Sequence, residues 1–178
     1  MPVPIRRVVT GKDATGKAIV MIDSAANPRV RAETGLANTL LWVTDAMPPV
    51  VTQRTDAADR KIGVHPPRNG TVFRVVEFPP EKEVRADYES RLRLMQEMGL
   101  APEGPSREHP RDPGMHSTRT VDYAVIVSGE IDMLLDDSEV HLKAGDVVIQ
   151  QGTNHAWVNR GDAACATAAL SKVEAKLK

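Results

Sequence analysis

Apolar and polar positions follow two rhythms in this chain. From residue 115 onward the rhythm is almost entirely that of strands: short β-rich runs at Thr118–Val127, Ile131–Leu135, Val140–Leu142, Asp146–Gln150, Ala156–Asn159 and Ala164–Leu170. Turns separate them at Ser128-Gly129, Asp136-Asp137-Ser138, Ala144-Gly145, Gly152-Thr153-Asn154 and Arg160-Gly161-Asp162. Short strands at such spacing predict a sandwich or a closed barrel, and the lack of intervening helices argues against a parallel α/β sheet. Upstream, Ile5–Thr10 and Lys17–Ile22 read as a hairpin turned by Gly11–Gly16, residues 24–36 as irregular, and Leu36–Val43 and Thr71–Phe78 as further strands. A polar excursion over 48–70 ends at the turn signal Pro66-Pro-Arg-Asn-Gly70.

The helical rhythm occurs once. Over Glu81–Met98, Val84, Tyr88, Leu92 and Met95 fall on one stripe, Glu81–Arg85, Asp87–Arg91 and Glu89–Arg93 pair along the flanks, and Gly99 ends the run. This predicts a packing helix with a solvated charged face. Residues 101–114 hold four prolines and two glycines, so no regular element is expected there; the segment is a linker or a lid leading into His116.

Strand parity brings chemistry into view. In an extended run starting at His116, the side chains of His116, Thr118, Thr120, Asp122, Ala124 and Ile126 share a face. Polar groups lead that face and apolar ones follow, as expected for a small barrel with a polar mouth and a packed floor. His155, Trp157 and Asn159 share the face of a second strand that follows a glycine turn. If the two strands adjoin, His116, Asp122 and His155 converge. Two imidazoles and a carboxylate can hold Fe(II), Mn(II), Ni(II) or Zn(II) with coordination sites left open, or can move protons with no metal at all. Thr118, Gln150 and Trp157 are expected to line the same pocket; Arg119 and Gln150 are possible assistants, whereas parity turns Tyr123 the other way. His65, His109 and His141 are expected in surface or linker roles.

Bulk properties narrow the class. At 178 residues one domain is the simplest reading, long enough for a real core. A formal net charge of -1 and 3% aromatics give no reason to expect nucleic acid as a partner. One cysteine, Cys165, rules out an intrachain disulfide framework and is expected to be a buried, inert thiol. Without a signal-like or membrane-length apolar run, the expected location is the cytoplasm and no membrane partner is expected.

The two segments around His116 and His155 resemble the paired motifs of the cupin superfamily. His116 matches the first histidine of the first motif, Gly129 its closing glycine, and Asp122 stands at the glutamate position. Gly145, Gly152, His155 and Asn159 match the second motif. Thr118 stands where a second histidine would be, and Gln150 where a proline would be. The resemblance covers about residues 114–170, the motif core, and implies an all-β, cupin-type jelly-roll barrel; with the strands and loops read over 1–80 and the helix over 81–99, one such domain is expected over 1–178. It also implies a divalent metal held by the residues that remain of the ligand set, and a homodimer. Three functions stay open: a metal-dependent enzyme acting on an oxygenated metabolite, a metal-free acid–base enzyme of isomerase, cyclase or dehydratase type, and a non-enzymatic metabolite-binding module.

Overall fold

In the computed structural model, which describes residues 2–51, 55–101 and 111–173, eleven strands and one α-helix build a β-rich barrel. A six-stranded sheet in the order β3-β4-β5-β11-β6-β9 forms one wall, from Arg29–Val30, Ala37–Thr44, Thr71–Phe78, Cys165–Val173, Thr120–Ser128 and Val147–Gln151. A three-stranded sheet in the order β10-β7-β8 forms the other, from Ala156–Val158, Glu130–Leu134 and Glu139–Lys143. The remaining strands, β1 (Ile5–Lys12) and β2 (Ala18–Ala26), pair antiparallel as a hairpin. Among the described residues no helix is long and apolar enough to cross a membrane.

The two walls close on an apolar plug at one end. Ile126, Ile131, Met133, Leu142 and Cys165 are buried together, with Phe78, Leu135, Val148 and Trp157 packed against them. Cys165 is fully buried and its thiol is pushed up by that burial, as expected for an inert core sulfur. Gly129 makes the tight turn from β6 into β7 at φ +75°, where a Cβ would meet Ala164 O at 2.9 Å and Cys165 Cα at 3.0 Å.

The hairpin lies against the outer face of the large sheet. Ile5 and Ala26 pack with Leu41, Val75, Ala166 and Ala168, and Arg7 donates to Leu41 O and pairs with Asp56. The rest of that face is open: Phe73, Leu170, Tyr123 and Ile149 are successive cross-strand neighbours, and all four are exposed.

Three elements differ from the sequence pattern. β2 runs on to Ala26 and a short β3 forms at Arg29–Val30, within the stretch expected to be irregular. The helix is shorter than its apolar stripe: Glu81–Glu83 is a 3-10 turn, and α1 proper spans Tyr88–Glu97. Asp87 is its N-cap, with a side-chain oxygen accepting from Ser90 N at 2.8 Å, so the chain enters the helix there and not at Glu81. The face toward the cavity carries Arg91, Leu94, Met95 and Met98, and Tyr88 is left 44% exposed. Most of the proline-rich stretch, including His109, lies outside the described residues.

Candidate functional site

His116 and His155 meet through their backbones. Each donates its N–H to the other's carbonyl oxygen at 2.9 Å, an isolated antiparallel bridge between the segment entering β6 and the residue before β10. The bridge sets the two imidazoles side by side, with ring centroids 4.4 Å apart. Trp157, two residues along the same strand face, stands edge-on to His155 at 6.1 Å and forms a wall.

The two rings are held differently. Nδ1 of His116 lies 2.8 Å from Gly114 O. A carbonyl oxygen can only accept, so this nitrogen carries the proton and Nε2 keeps a free lone pair. Nδ1 of His155 lies 2.6 Å from Nε2 of the Gln150 amide and 3.1 Å from Thr153 O. The same amide nitrogen also donates to Thr153 O at 3.1 Å. The amide nitrogen and Thr153 O compete for Nδ1 of His155; the amide nitrogen is nearer and can only donate, so with the amide in this orientation Nδ1 accepts, its approach to Thr153 O is not a hydrogen bond, and the imidazole proton sits on Nε2. One ring thus offers a base and its neighbour a donor.

Burial keeps both rings neutral. The His155 imidazole is pushed down to about 3, first by burial and then by proximity to His116. That of His116 is also lowered, chiefly by burial, while its bond to Gly114 and the charge of Asp122 pull the other way.

Asp122 ends a short polar ladder on β6. Thr118 and Thr120 share a hydrogen bond of 2.6 Å between their hydroxyls, and Thr120 Oγ1 donates to Asp122 Oδ2 at 2.9 Å. The other carboxylate oxygen, Oδ1, is buried without a hydrogen-bond partner among the described residues. Asp122 pairs across the sheet with Gln150 on β9 and Ser171 on β11, so the three share the inner face.

These groups line a cavity of about 300 Å³, at the small end of ligand-binding pockets. His116, Thr118, Asp122, Gln150, His155 and Trp157, all expected at the site, border it. Tyr123 points outward, as parity required. Arg119 borders a neighbouring cavity of about 290 Å³ together with His65, and the exposed His141 bonds to Asp132 at 2.7 Å.

Two sets of lining residues were not expected at the site from the sequence. Leu94, Met95 and Met98 of the α1 region cover the cavity, and Arg91 ties the helix to Asp112 at 3.1 Å, just upstream of His116. Arg74 enters from β5 and is 7% exposed. Its signal was available: it shares inner parity with Val72 and Val76, so a charge stands on a buried strand face.

The donor set was compared with the metal that the resemblance implies. Among the described residues no three His, Cys, Asp or Glu side chains stand together so as to hold a metal ion. Thr118 supplies a hydroxyl where a ligand would be wanted, and the Asp122 carboxylate is drawn toward Thr120. As arranged, the residues do not fit a metal cage.

Residues 97–170 match the Cupin domain family model. The chain is similar to Phomopsin biosynthesis cluster protein C' of Diaporthe leptostromiformis, 48% identical over 63 residues, which are 35% of this chain and 33% of that protein. It is similar over more of its length to the cupin-domain-containing oxidoreductase srdD of Neurospora crassa, 26% identical over 160 residues, or 87% of this chain and 66% of the relative. The chain thus spans about a third of the first relative and just under two thirds of the second. Among solved structures, the Schizosaccharomyces pombe Cnp3 cupin domain aligns with 98% of this chain and 90% of its own, at a TM-score of 0.47 and 13% identity.

Proposed function

We propose that this chain, which belongs to the cupin superfamily through its domain at residues 97–170, is an acid–base enzyme that moves a proton on a small carbonyl-bearing metabolite. The observation that carries this reading is the pair of adjacent neutral imidazoles with complementary tautomers on the wall of the cavity. Nε2 of His116 accepts a proton from the carbon next to the substrate carbonyl. Nε2–H of His155 donates a hydrogen bond to the carbonyl oxygen as negative charge builds there. A neutral imidazole suits that task, since it stabilises the developing oxyanion without presenting a full charge to the ground state. Asp122 stabilises the His116 imidazolium through space, because its charge favours the protonated ring. Trp157 and α1 exclude water. Isomerisation, cyclisation and dehydration all begin with such a step.

The test is deuterium incorporation. A panel of ketones, aldehydes and oxo acids is incubated with the protein in D2O and followed by NMR. Exchange next to the carbonyl that disappears in His116→Gln and falls steeply in His155→Ala is the expected result. A panel that shows no exchange, or exchange that survives both substitutions, sinks the reading.

A second reading has one observation in its favour. Asp122 Oδ1 is buried and bare, and a buried carboxylate oxygen seeks a cation or a donor. A divalent metal on His116, His155 and Asp122 would answer that need once the carboxylate turned from Thr120, and it would supply Lewis-acid chemistry. The similarity to proteins described as cupin-domain-containing oxidoreductases supports the same reading. Elemental analysis of protein purified without chelators decides between the two: one equivalent of transition metal per chain favours the second, and full turnover after chelation the first.

A cytoplasmic homodimer is part of the proposal. The exposed row Phe73, Leu170, Tyr123 and Ile149, continued by Val125 and Val147, is an apolar sheet face suited to a second copy of itself.

A further inference from the structure

Arg74 is a buried charge that the proton-transfer step does not use. It stands mid-strand in β5, 7% exposed, and borders the cavity. One guanidinium nitrogen anchors it: Nη2 donates to Gly63 O at 3.0 Å and to Val64 O at 3.4 Å, both in the loop before β5. Its Nε–H is buried with no hydrogen-bond partner among the described residues. No ion pair joins Arg74 to a carboxylate among the described residues.

Burying a guanidinium that no carboxylate pairs is unfavourable unless something compensates. The guanidinium does not escape by losing its proton. The carboxylate whose field reaches it is Asp122, but Asp122 is on β6 and β11 lies between the two strands. That separation is roughly 10 Å between backbones. The residues on the same cross-strand row as Arg74 are Ala169 and then Ala124. Two methyl groups leave open the space beside the guanidinium, where larger side chains would have filled it. The rest of the lining near it is apolar: Val76 and Phe78 follow Arg74 on the same face of β5, and Leu94, Met95 and Met98 come from the α1 region.

We infer that Arg74 binds the carboxylate of an amphipathic acid whose apolar part lies under α1, so that the substrate of the proton transfer is such an acid anion. The guanidinium fork matches a carboxylate in shape and charge, and the free Nε–H gives it a donor to use. The reference to a substrate rests on the proposed function; the binding itself does not.

Octanoate and octanamide test this, since they share a length and differ in charge. Isothermal titration of the full chain is expected to show octanoate bound roughly tenfold to a hundredfold tighter than octanamide, the range of a charged hydrogen bond. Arg74→Gln removes the preference and Arg74→Lys keeps part of it. Ala169→Leu, which fills the space beside the guanidinium in an otherwise intact sheet, abolishes octanoate binding and guards against a misfolded Arg74→Gln. Equal binding of the two probes by the wild type, binding of neither, or a preference that persists in Arg74→Gln or Ala169→Leu overturns the inference. His116→Gln separates it from the proposed function: there the octanoate preference stays while deuterium exchange is lost. A wild type with the preference but no exchange on any substrate refutes the function and leaves the anion site standing.

Discussion

The Gln150 amide donates to Nδ1 of His155 at 2.6 Å, and so decides which nitrogen of that ring faces the cavity with a proton. Gln150 is 4% exposed and its second amide hydrogen is used by Thr153 O. Replacing it by Leu frees the imidazole to donate from Nδ1 to Thr153 O, which strips the proton from Nε2. Turnover should fall about tenfold to a hundredfold, within the lower range of what an acid–base group contributes. Nitrogen NMR of the His155 ring should report the switched tautomer. Unchanged shifts in Gln150→Leu would remove Gln150 from the mechanism.

The depressed pKa of His155 makes stability depend on pH. Its folded value of about 3 lies below the ordinary 6.5, so between those pH values the unfolded chain binds the extra proton. This contribution is fully present above about pH 6.5 and is lost as pH falls toward 3, on the order of a few kcal/mol in total. Chemical denaturation at pH 7 and pH 4.5 should show the loss. In His155→Gln the difference between the two pH values should shrink.

Asn159 ties the end of β10 to β5. Its Nδ2 donates to Phe78 O at 2.9 Å and Ala163 O at 2.8 Å, its Oδ1 accepts from Gly161 N at 3.0 Å, and the residue is 3% exposed. Asn159→Ala leaves these backbone groups without partners and should destabilise the protein by about 2–4 kcal/mol. Thermal melting measures it; a change under half a kcal/mol, roughly the scatter of surface substitutions, would mean that water replaces the amide.

Gly129 and Gly16 both adopt positive φ, but their surroundings differ. A Cβ at Gly129 meets backbone at 2.9 Å, whereas nothing lies within 4 Å at Gly16. Gly129→Ala should destabilise by more than Gly16→Ala, which carries a conformational penalty alone of about 1 kcal/mol. Denaturant midpoints of the two variants check the order.

The open sheet face predicts the oligomeric state. Ile149→Glu places a charge in the row Phe73–Leu170–Tyr123–Ile149 without touching the cavity side of β9. Light scattering should give a dimer for the wild type and a monomer for this variant. A monomeric wild type ends the proposal.

Strand parity carried most of what was legible in the sequence. The alternation through His116, Thr118, Thr120, Asp122 and Ala124 is a local property, and all five residues line the cavity. The helix was less legible because its start is set by a side-chain cap at Asp87, which the charge-rich run from Glu81 disguised. Arg74 was hidden for another reason. A single arginine in a strand has no partner in the sequence, and the vacant space beside it comes from Ala169 and Ala124, far along the chain.

The tether between Arg91 and Asp112 divides the molecule by task. The residues proposed for proton movement sit on an isolated backbone bridge at the mouths of β6 and β10, and the one proposed for charge recognition sits within β5, all fixed by backbone hydrogen bonds of the barrel. The greasy covering rides mainly on ten residues of α1, held to the segment before His116 by that ion pair. Exchanging that helix alone would resize the accepted molecule while leaving the reactive groups in register, so selectivity can be retuned independently of chemistry.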